Sequence, residues 1–280
     1  MKIKTQLENL EVDKILHKDD KSTIDKLNMV PGFRSLIDNT VGNVMEKCGE
    51  IEYSGEGINV NAKSLPKLYR QLTEACRILG AKEIPAFSTD WDYSVGAFTV
   101  GEKHKRLVMW SGAIDLLNEE EQLFMIGHEL GHMMCGHKAY HMLVEAMYMP
   151  IINSDFKILM ALIKTPLLNW YRYSDFTADR MGLLCCQDIN VALTTMIKTA
   201  GLPKKYHNQA NVKAFIQQAK EFDENCSGIM DSLIKYLSLA GVSMPWLVLR
   251  ASELMKWYNS GEYDKIIKRN GLKINQNLIR

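Results

Sequence analysis

The sequence predicts an α+β protein in which helices dominate and a small mixed sheet lies in the middle of the chain. Residues from Asn118 to about Lys268 have the pattern of successive helices, with breaks at proline, glycine or aspartate. Three short β-rich segments, separated by polar turns, lie between residues 84 and 110. The 280 residues, 46% hydrophobic and 24% charged, are enough to bury one large core or two small ones.

Residues 1–60 are predicted to form a helical extension that ends in a short hairpin. Helical periodicity covers most of it, and Pro31-Gly32 marks a turn between a helix near residues 20–28 and another near 33–47. The hairpin is predicted over residues 51–61, where two glycines stand in a Ser-Gly-Glu-Gly turn.

Residues 61–280 are predicted to form the domain that carries the chemistry. Its first helix follows Ser64 as the capping residue, accepts Pro66 in its first turn and ends at Gly80. The β-rich segments come next, at residues 84–87, 95–100 and 106–110. We expect this sheet to pack on the helix that follows residue 118.

Composition and charge exclude several functions. The formal net charge of +1 comes from 34 basic and 33 acidic side chains that are mixed along the chain, so nucleic acid is not an expected partner. The first residues lack the apolar core of a secretory signal, which predicts a cytoplasmic protein. Six cysteines without CxxC spacing predict free, buried thiols rather than disulfides or a cysteine zinc site.

Residues 142–170 form the most apolar stretch of the chain. Four charged residues interrupt it, as do Pro150 and Pro166, so no window reaches about 18 uncharged apolar residues. We therefore predict two amphipathic or core helices instead of a membrane span. One of them is a candidate for peripheral contact with a membrane surface or for covering a substrate groove.

The segment His128-Glu129-Leu130-Gly131-His132 matches the H-E-x-x-H pattern of zinc peptidases. Asn118 and Glu121 form a capping box that starts a helix just upstream, so the pattern lies within a helix. Spacing of four residues places the two imidazoles one turn apart on one face, where both can bind a single tetrahedral metal. Glu129 projects beside them, placed to act on a water at that metal.

A catalytic zinc needs a third protein ligand. The extended pattern HExxHxxGxxH is absent, because Cys135 and Lys138 stand where its glycine and histidine belong. His137 and His141 lie about 140° and 180° around a continuing helix from the second histidine, so we expect them to be an exposed pair outside the site.

The segment 170–184 offers the remaining candidates for this ligand. It is predicted to be helical, with Asp175 and Asp179 one turn apart and Arg172 one turn earlier. One acid can bind the metal while the other orients a ligand histidine. The alternative is a salt-bridged surface helix without any metal.

Taken together, the HELGH segment, Gly136-His137 after it, and the segment Ser174-Asp175-Phe176-Thr177-Ala178-Asp179-Arg180 resemble the HtpX-like and CAAX-prenyl-protease-like zinc metallopeptidases. This resemblance covers residues from about 64 to 220. It implies a zincin-like fold of the gluzincin type, one Zn²⁺ per chain, Asp175 as third ligand and Asp179 as an acid behind a ligand histidine. It also implies that a strand near residues 95–100 or 106–110 is the edge on which a peptide substrate pairs.

The predicted function is therefore zinc-dependent endopeptidase activity on peptide or unfolded-protein substrates, with Glu129 as general base. Tyr173, Arg172 and His207 are candidates for stabilising the oxyanion. One departure from the family matters, since Asp175 stands where the family has glutamate and reaches about 1.5 Å less far. The alternative function is accordingly a catalytically weakened or inactive metal-binding, chaperone-like module.

Overall fold

The computed structural model describes residues 4–33, 42–146, 154–225 and 246–277. Within these ranges the chain is mainly helical and contains a three-stranded sheet, as the sequence predicts. The helices are α1 (Lys18–Asn28), α2 (Gly42–Gly55), α3 (Pro66–Leu79), α4 (Ser111–Leu116), α5 (Glu119–Met134), α6 (Lys138–Ala146), α7 (Ser154–Cys186), α8 (Ile189–Thr199), α9 (Val212–Asn225), α10 (Leu247–Asn259) and α11 (Glu262–Asn277).

The sheet has three strands, β1 (Ala86–Asp90), β2 (Ala97–Val100) and β3 (Arg106–Trp110), in the order β1-β3-β2. It is mixed, because β1 pairs with β3 in parallel and β2 pairs with β3 antiparallel. The suggestion that residues 106–110 form an edge is wrong, since β3 is paired on both sides. Among the described residues β2 is an edge strand, with a strand partner on one side only.

The hairpin predicted over residues 51–61 is wrong. Helix α2 continues to Gly55, and the chain then runs beside β1, where Thr89 donates its N–H to the carbonyl of Ile58 and Val60 donates to that of Phe87. A Cβ on Gly57 would lie 2.2 Å from the carbonyl oxygen of Thr89. The glycine-rich segment therefore serves a close approach of two backbones rather than a hairpin turn.

Two helix boundaries also differ from the predictions. Ser64 does not cap α3; Leu65 occupies the N-cap position, and Asn61 orders the loop by accepting the N–H groups of residues 63 and 64. The break predicted near Pro166 is absent, because α7 passes through it. The proline lies on an exposed side of the helix, and the burial of Leu167 and Trp170 on the other side outweighs the lost hydrogen bond. The sequence also predicts helix breaks near Pro150 and Gly241; these positions, and most of the helix predicted near 33–47, lie outside the described residues.

Helix α5 lies at the centre of the fold. Every residue from Glu121 to Met133 is buried, and the helix packs against α7, α3, α8 and β2. The same core takes in Leu7 and Ile15 of the N-terminal segment, so the extension is packed into the structure. The division at residues 60 and 61 stays a prediction.

A smaller core lies between α1, α6 and α7. Described apolar residues of the 142–170 stretch are buried there, including Leu143, Ile163 and Trp170. Peripheral membrane contact through the rest of that stretch stays a prediction.

Five cysteines of the described residues are free thiols, and Cys48 is exposed rather than buried as expected.

Candidate metal centre

The helix that carries the HExxH pattern starts as the sequence predicts. The Asn118 side chain accepts the N–H groups of Glu120 and Glu121, and the Glu121 carboxylate accepts the N–H of Asn118. Lys198 on α8 adds a buried ion pair to the same Glu121 carboxylate at 2.7 Å. The start of α5 is thereby fixed, and the motif follows two turns later in a fully buried setting.

Close packing of α5 on α7 brings the candidate third ligand to the histidines. A Cβ on Gly127 would lie 2.3 Å from Cys185 Cβ, and one on Gly131 would lie 2.7 Å from Met181 Cβ. Glycines on the motif helix therefore let the two backbones approach more closely than any larger residue would. At this separation the short side chain of Asp175 reaches the two imidazoles.

Three donor atoms meet at the centre of the site. The Nε2 atoms of His128 and His132 are 3.2 Å apart, and Asp175 Oδ1 lies 3.3 Å from the latter and 3.8 Å from the former. Ligands held at 2.0–2.1 Å around a tetrahedral zinc are separated by about 3.3 Å. Asp175 Oδ2 is buried and has no hydrogen-bond partner among the described residues. The donor set and its spacing therefore fit a zinc ion.

His128 is supported by an acid that is itself paired. Its Nδ1 lies 2.9 Å from Asp179 Oδ1, and Arg250 on α10 binds the same carboxylate at 2.6 and 2.8 Å. Burial raises the pKa of Asp179, but the charge and hydrogen bonds of Arg250 outweigh it and leave that pKa below its usual range. An ionised Asp179 accepts the Nδ1–H of His128 and leaves Nε2 free for the metal.

Sequence reasoning misses Arg250. The residue is buried and lies 71 positions from its partner Asp179. The only local signal is that this arginine follows three apolar residues. A surface-facing position on an ordinary amphipathic helix has the same pattern. Nothing in the sequence connects it to an acid so distant in the chain.

The expectation that His137 and His141 are exposed and remote is wrong. Both are buried, because α5 ends at Met134, Gly136 takes a positive φ of 70°, and α6 starts in a new direction. His137 Nδ1 then lies 3.0 Å from His132 Nδ1, and His141 Nε2 lies 2.9 Å from the Ser174 hydroxyl. Glycine at this position ends the helix by a left-handed residue, which turns the pair back toward the site.

Glu129 borders a cavity of about 690 Å³ that also opens onto His128. Residues from Tyr93 to Ala97 form one wall, and apolar side chains form most of the remainder, among them Trp110, Phe124, Met125, Met196, Leu202, Pro203, Trp246 and Leu247. Burial raises the pKa of Glu129 to about 7. A second cavity of about 710 Å³ is lined by the other side of α5 and reaches none of the donor atoms.

None of the three oxyanion candidates lines this cavity. Tyr173 stacks on His17 at 6.0 Å between ring centroids. Arg172 donates to the Asn169 side chain, and His207 lies 3.0 Å from the carbonyl oxygen of Leu202. Their catalytic role stays a prediction, and the structure does not bring them to Glu129.

Comparison with known proteins identifies a family and a relative. The profile of peptidase family M48 matches residues 63–257. A curated relative, the plastoglobule-localized metallopeptidase 48, chloroplastic, of Arabidopsis thaliana, is 28% identical over 265 residues, which span 93% of this chain and 77% of the relative.

Among the described helices none combines the length and apolar character that crossing a membrane requires. The cytoplasmic location stays a prediction.

Proposed function

The chain belongs to peptidase family M48, and on that premise we propose that it is a zinc-dependent endopeptidase acting on extended or unfolded protein chains. The observation that carries the proposal is the meeting of two imidazole nitrogens and one carboxylate oxygen at separations of 3.2–3.8 Å beside a buried glutamate. The zincin-like architecture of the gluzincin type is part of the same proposal.

His128, His132 and Asp175 would hold the zinc, one ion per chain. When bound, zinc supplies a Lewis acid for the scissile carbonyl and lowers the pKa of water at the site. The shorter third ligand is compensated by the close approach of α5 and α7 at Gly127 and Gly131. Asp179 orients His128 and keeps its Nε2 lone pair directed into the site.

Glu129 is the proposed general base. Its carboxylate lies 4.0 Å from His128 Nε2 at the floor of the cavity, within one water molecule of the donor atoms. A pKa near 7 suits a group that takes a proton from the attacking water and then delivers it to the leaving amine. To play both roles, Glu129 must stay close to the attacking water and to the leaving nitrogen. Its buried position on α5 holds it there.

The substrate is proposed to bind as an added strand. Strand β2 has a free edge among the described residues, and the segment leading into it, from Tyr93 to Ala97, lines the cavity. An extended peptide pairing there would pass its carbonyls over His128 and Glu129. The apolar walls at Phe124 and Leu202 favour substrates with large hydrophobic side chains next to the scissile bond.

The test is Glu129→Gln with Glu119→Gln as its matched control. Both substitutions are on α5, but Glu119 pairs with Lys67 at the surface, 2.7 Å away. We expect Glu129→Gln to keep one zinc per chain and to lose cleavage of casein by about 10²-fold or more. The control should keep both. Retained cleavage in Glu129→Gln would refute the proposed base.

The same assay addresses the alternative, a metal-binding and chaperone-like module. Wild-type protein that holds one zinc per chain but leaves casein intact would favour that module over the peptidase. Zinc content and cleavage are therefore measured on the same samples.

A further inference from the structure

Helix α1 lies outside the segment matched by the family profile, yet one of its acids is buried behind the metal centre. Asp20 is 2% exposed, and its Oδ2 lies 3.2 Å from His137 Nε2. The profile begins at residue 63. His137 in turn contacts His132, so a line of three groups connects the N-terminal segment to a proposed zinc ligand.

The Asp20 carboxylate is held in place by α7. Oδ1 accepts the indole N–H of Trp170 at 2.8 Å, and Oδ2 accepts the Thr177 hydroxyl at 2.5 Å. Thr177 also accepts the backbone N–H of His17, and Arg180 donates to the carbonyls of residues 15 and 16. These bonds fix α1 in register on the helix that carries Asp175.

The proton positions on Asp20, His137 and His132 follow from whether each atom can donate or accept a hydrogen bond. The Nδ1 atoms of His132 and His137 are 3.0 Å apart, so they share one proton between them. The carboxylate of Asp20 only accepts, which favours a proton on His137 Nε2. With its proton on Nε2, His137 accepts at Nδ1, which makes His132 the donor there and leaves the Nε2 lone pair of His132 free.

We propose that Asp20 is a positioning residue of the metal centre, which acts through His137 to hold His132 in the tautomer that can bind metal. The proposal rests on the proposed function, since it assigns this role to a zinc ligand. His137 Nε2 is buried without a hydrogen-bond partner among the described residues, and a carboxylate oxygen of Asp20 lies 3.2 Å from it, which favours a proton on this nitrogen. The N-terminal segment is therefore part of the site and not only a cover.

Replacing the acid by its amide would reverse the positions of the protons on His137 and His132. In Asp20→Asn one oxygen becomes an NH₂ donor, and keeping the bond from Trp170 turns that donor toward His137 Nε2. His137 must then carry its proton on Nδ1. His132 is left with a proton on Nε2, where the metal would bind.

The experiment compares wild type, Asp20→Asn and the matched control Asp25→Asn, which makes the same change at an exposed position of α1. Histidine ¹⁵N–¹H spectra of the metal-free proteins report the tautomers, and competition with a chelator gives the zinc affinity. We expect the Nδ1–H form of His132 in wild type and the Nε2–H form in Asp20→Asn. Zinc affinity should fall about 10- to 100-fold in Asp20→Asn, and the control should match wild type within about twofold.

Two results would overturn the proposal: an Nε2–H tautomer of His132 in the metal-free wild type, or an unchanged zinc affinity in a folded Asp20→Asn. The wild-type spectrum decides even where the variant does not fold. Cleavage plays no part in either readout. A chain that binds zinc without hydrolysing peptides would therefore refute the proposed function and leave this inference standing.

Discussion

The two imidazoles of the proposed zinc site, one turn apart on the same helix, are supported in different ways. Behind His128 lies the carboxylate of Asp179, which forms a two-bond ion pair with Arg250. Behind His132 lies a second imidazole, that of His137. The first support is ionic and falls within the segment that the family profile matches, whereas the second begins as a hydrogen bond between two imidazole rings.

The acids at the end of each support differ accordingly. Asp179 is matched by a full positive charge, but Asp20 is held by two neutral donors, Trp170 and Thr177. Burial raises the pKa of Asp20, but the neighbouring His137 and the hydrogen bonds from Thr177 and Trp170 outweigh it and bring that pKa below its usual range. The ionic side therefore couples metal binding to the stability of the fold, while the other side affects mainly the orientation of its ligand.

The largest expected effect is on the ionic side. Asp179→Asn leaves the Arg250 guanidinium buried without its counter-charge, which should lower the free energy of unfolding by about 3–5 kcal/mol. For Asp20→Asn we expect about 1–3 kcal/mol, because no unpaired charge is created. Urea unfolding of the metal-free proteins measures both.

Adding Arg250→Met to Asp179→Asn is the control for this comparison. It removes the orphaned charge, so most of the stability should return while zinc affinity stays low. Equal losses for Asp179→Asn and Asp20→Asn would remove the distinction between the two sides.

Glu129 belongs to neither support and gives the next largest effect. Unfolded, its carboxyl titrates near the ordinary value of 4.5, and in the metal-free fold burial raises the pKa to about 7. Between these values the folded chain holds a proton that the unfolded chain has lost, so stability falls as pH rises from about 4.5 to 7. Metal-free Glu129→Gln should escape this loss and be more stable than wild type at pH 8 by on the order of 3 kcal/mol.

Thermal unfolding with a chelator across this pH range provides the measurement. Below about pH 4.5 wild type and Glu129→Gln should converge, because the carboxyl is protonated in both states. A constant difference at every pH would mean that the substitution acts through packing and not through the buried charge.

The separation of α5 and α7 affects the support of both histidine ligands. Gly131→Ala places a Cβ 2.7 Å from Met181 Cβ and 3.2 Å from Ala178 Cα, so α7 must shift. We expect a loss of about 1–3 kcal/mol in stability and a weaker zinc affinity, because Asp175 moves with α7. Calorimetric zinc titration measures this change, and an unchanged affinity would show that the ligand acid tolerates a different helix separation.

The smallest effect is expected at the helix break. Gly136 has a φ of 70° and open space around its Cα, so Gly136→Ala meets strain in the backbone and no clash. The expected loss is about 1–2 kcal/mol. If the break is what holds His137 against His132, the His132 tautomer in the metal-free spectrum becomes mixed; an unchanged spectrum would assign that contact to the packing of α6 instead.

Sequence patterns predicted the centre of the site because its geometry is local. His128 and His132 lie one turn apart on a helix, and Asn118 and Glu121 fix where that helix starts. The members of each pair are separated by at most four positions in the sequence. The mainly helical fold with a small sheet was predictable for the same reason, since periodicity and turn residues act over short spans. The family resemblance supplied Asp175.

The supports behind the ligands were not predictable, because each depends on a tertiary contact. Asp20 stands in a polar run that looks solvent-exposed, and 150 positions separate it from Trp170. His137 and His141 were misplaced because the helix was extended through Gly136, although glycine after a histidine-rich turn is a usual sign of a helix end. That one residue was the signal that would have corrected the prediction.

The most direct test of the account is a zinc-loaded crystal structure with anomalous data at the zinc edge. We expect a single strong peak per chain, about 2.0–2.2 Å from His128 Nε2, His132 Nε2 and a carboxylate oxygen of Asp175. A peak bonded to Asp179 in place of Asp175, or no peak at the two imidazoles, would contradict the central claim.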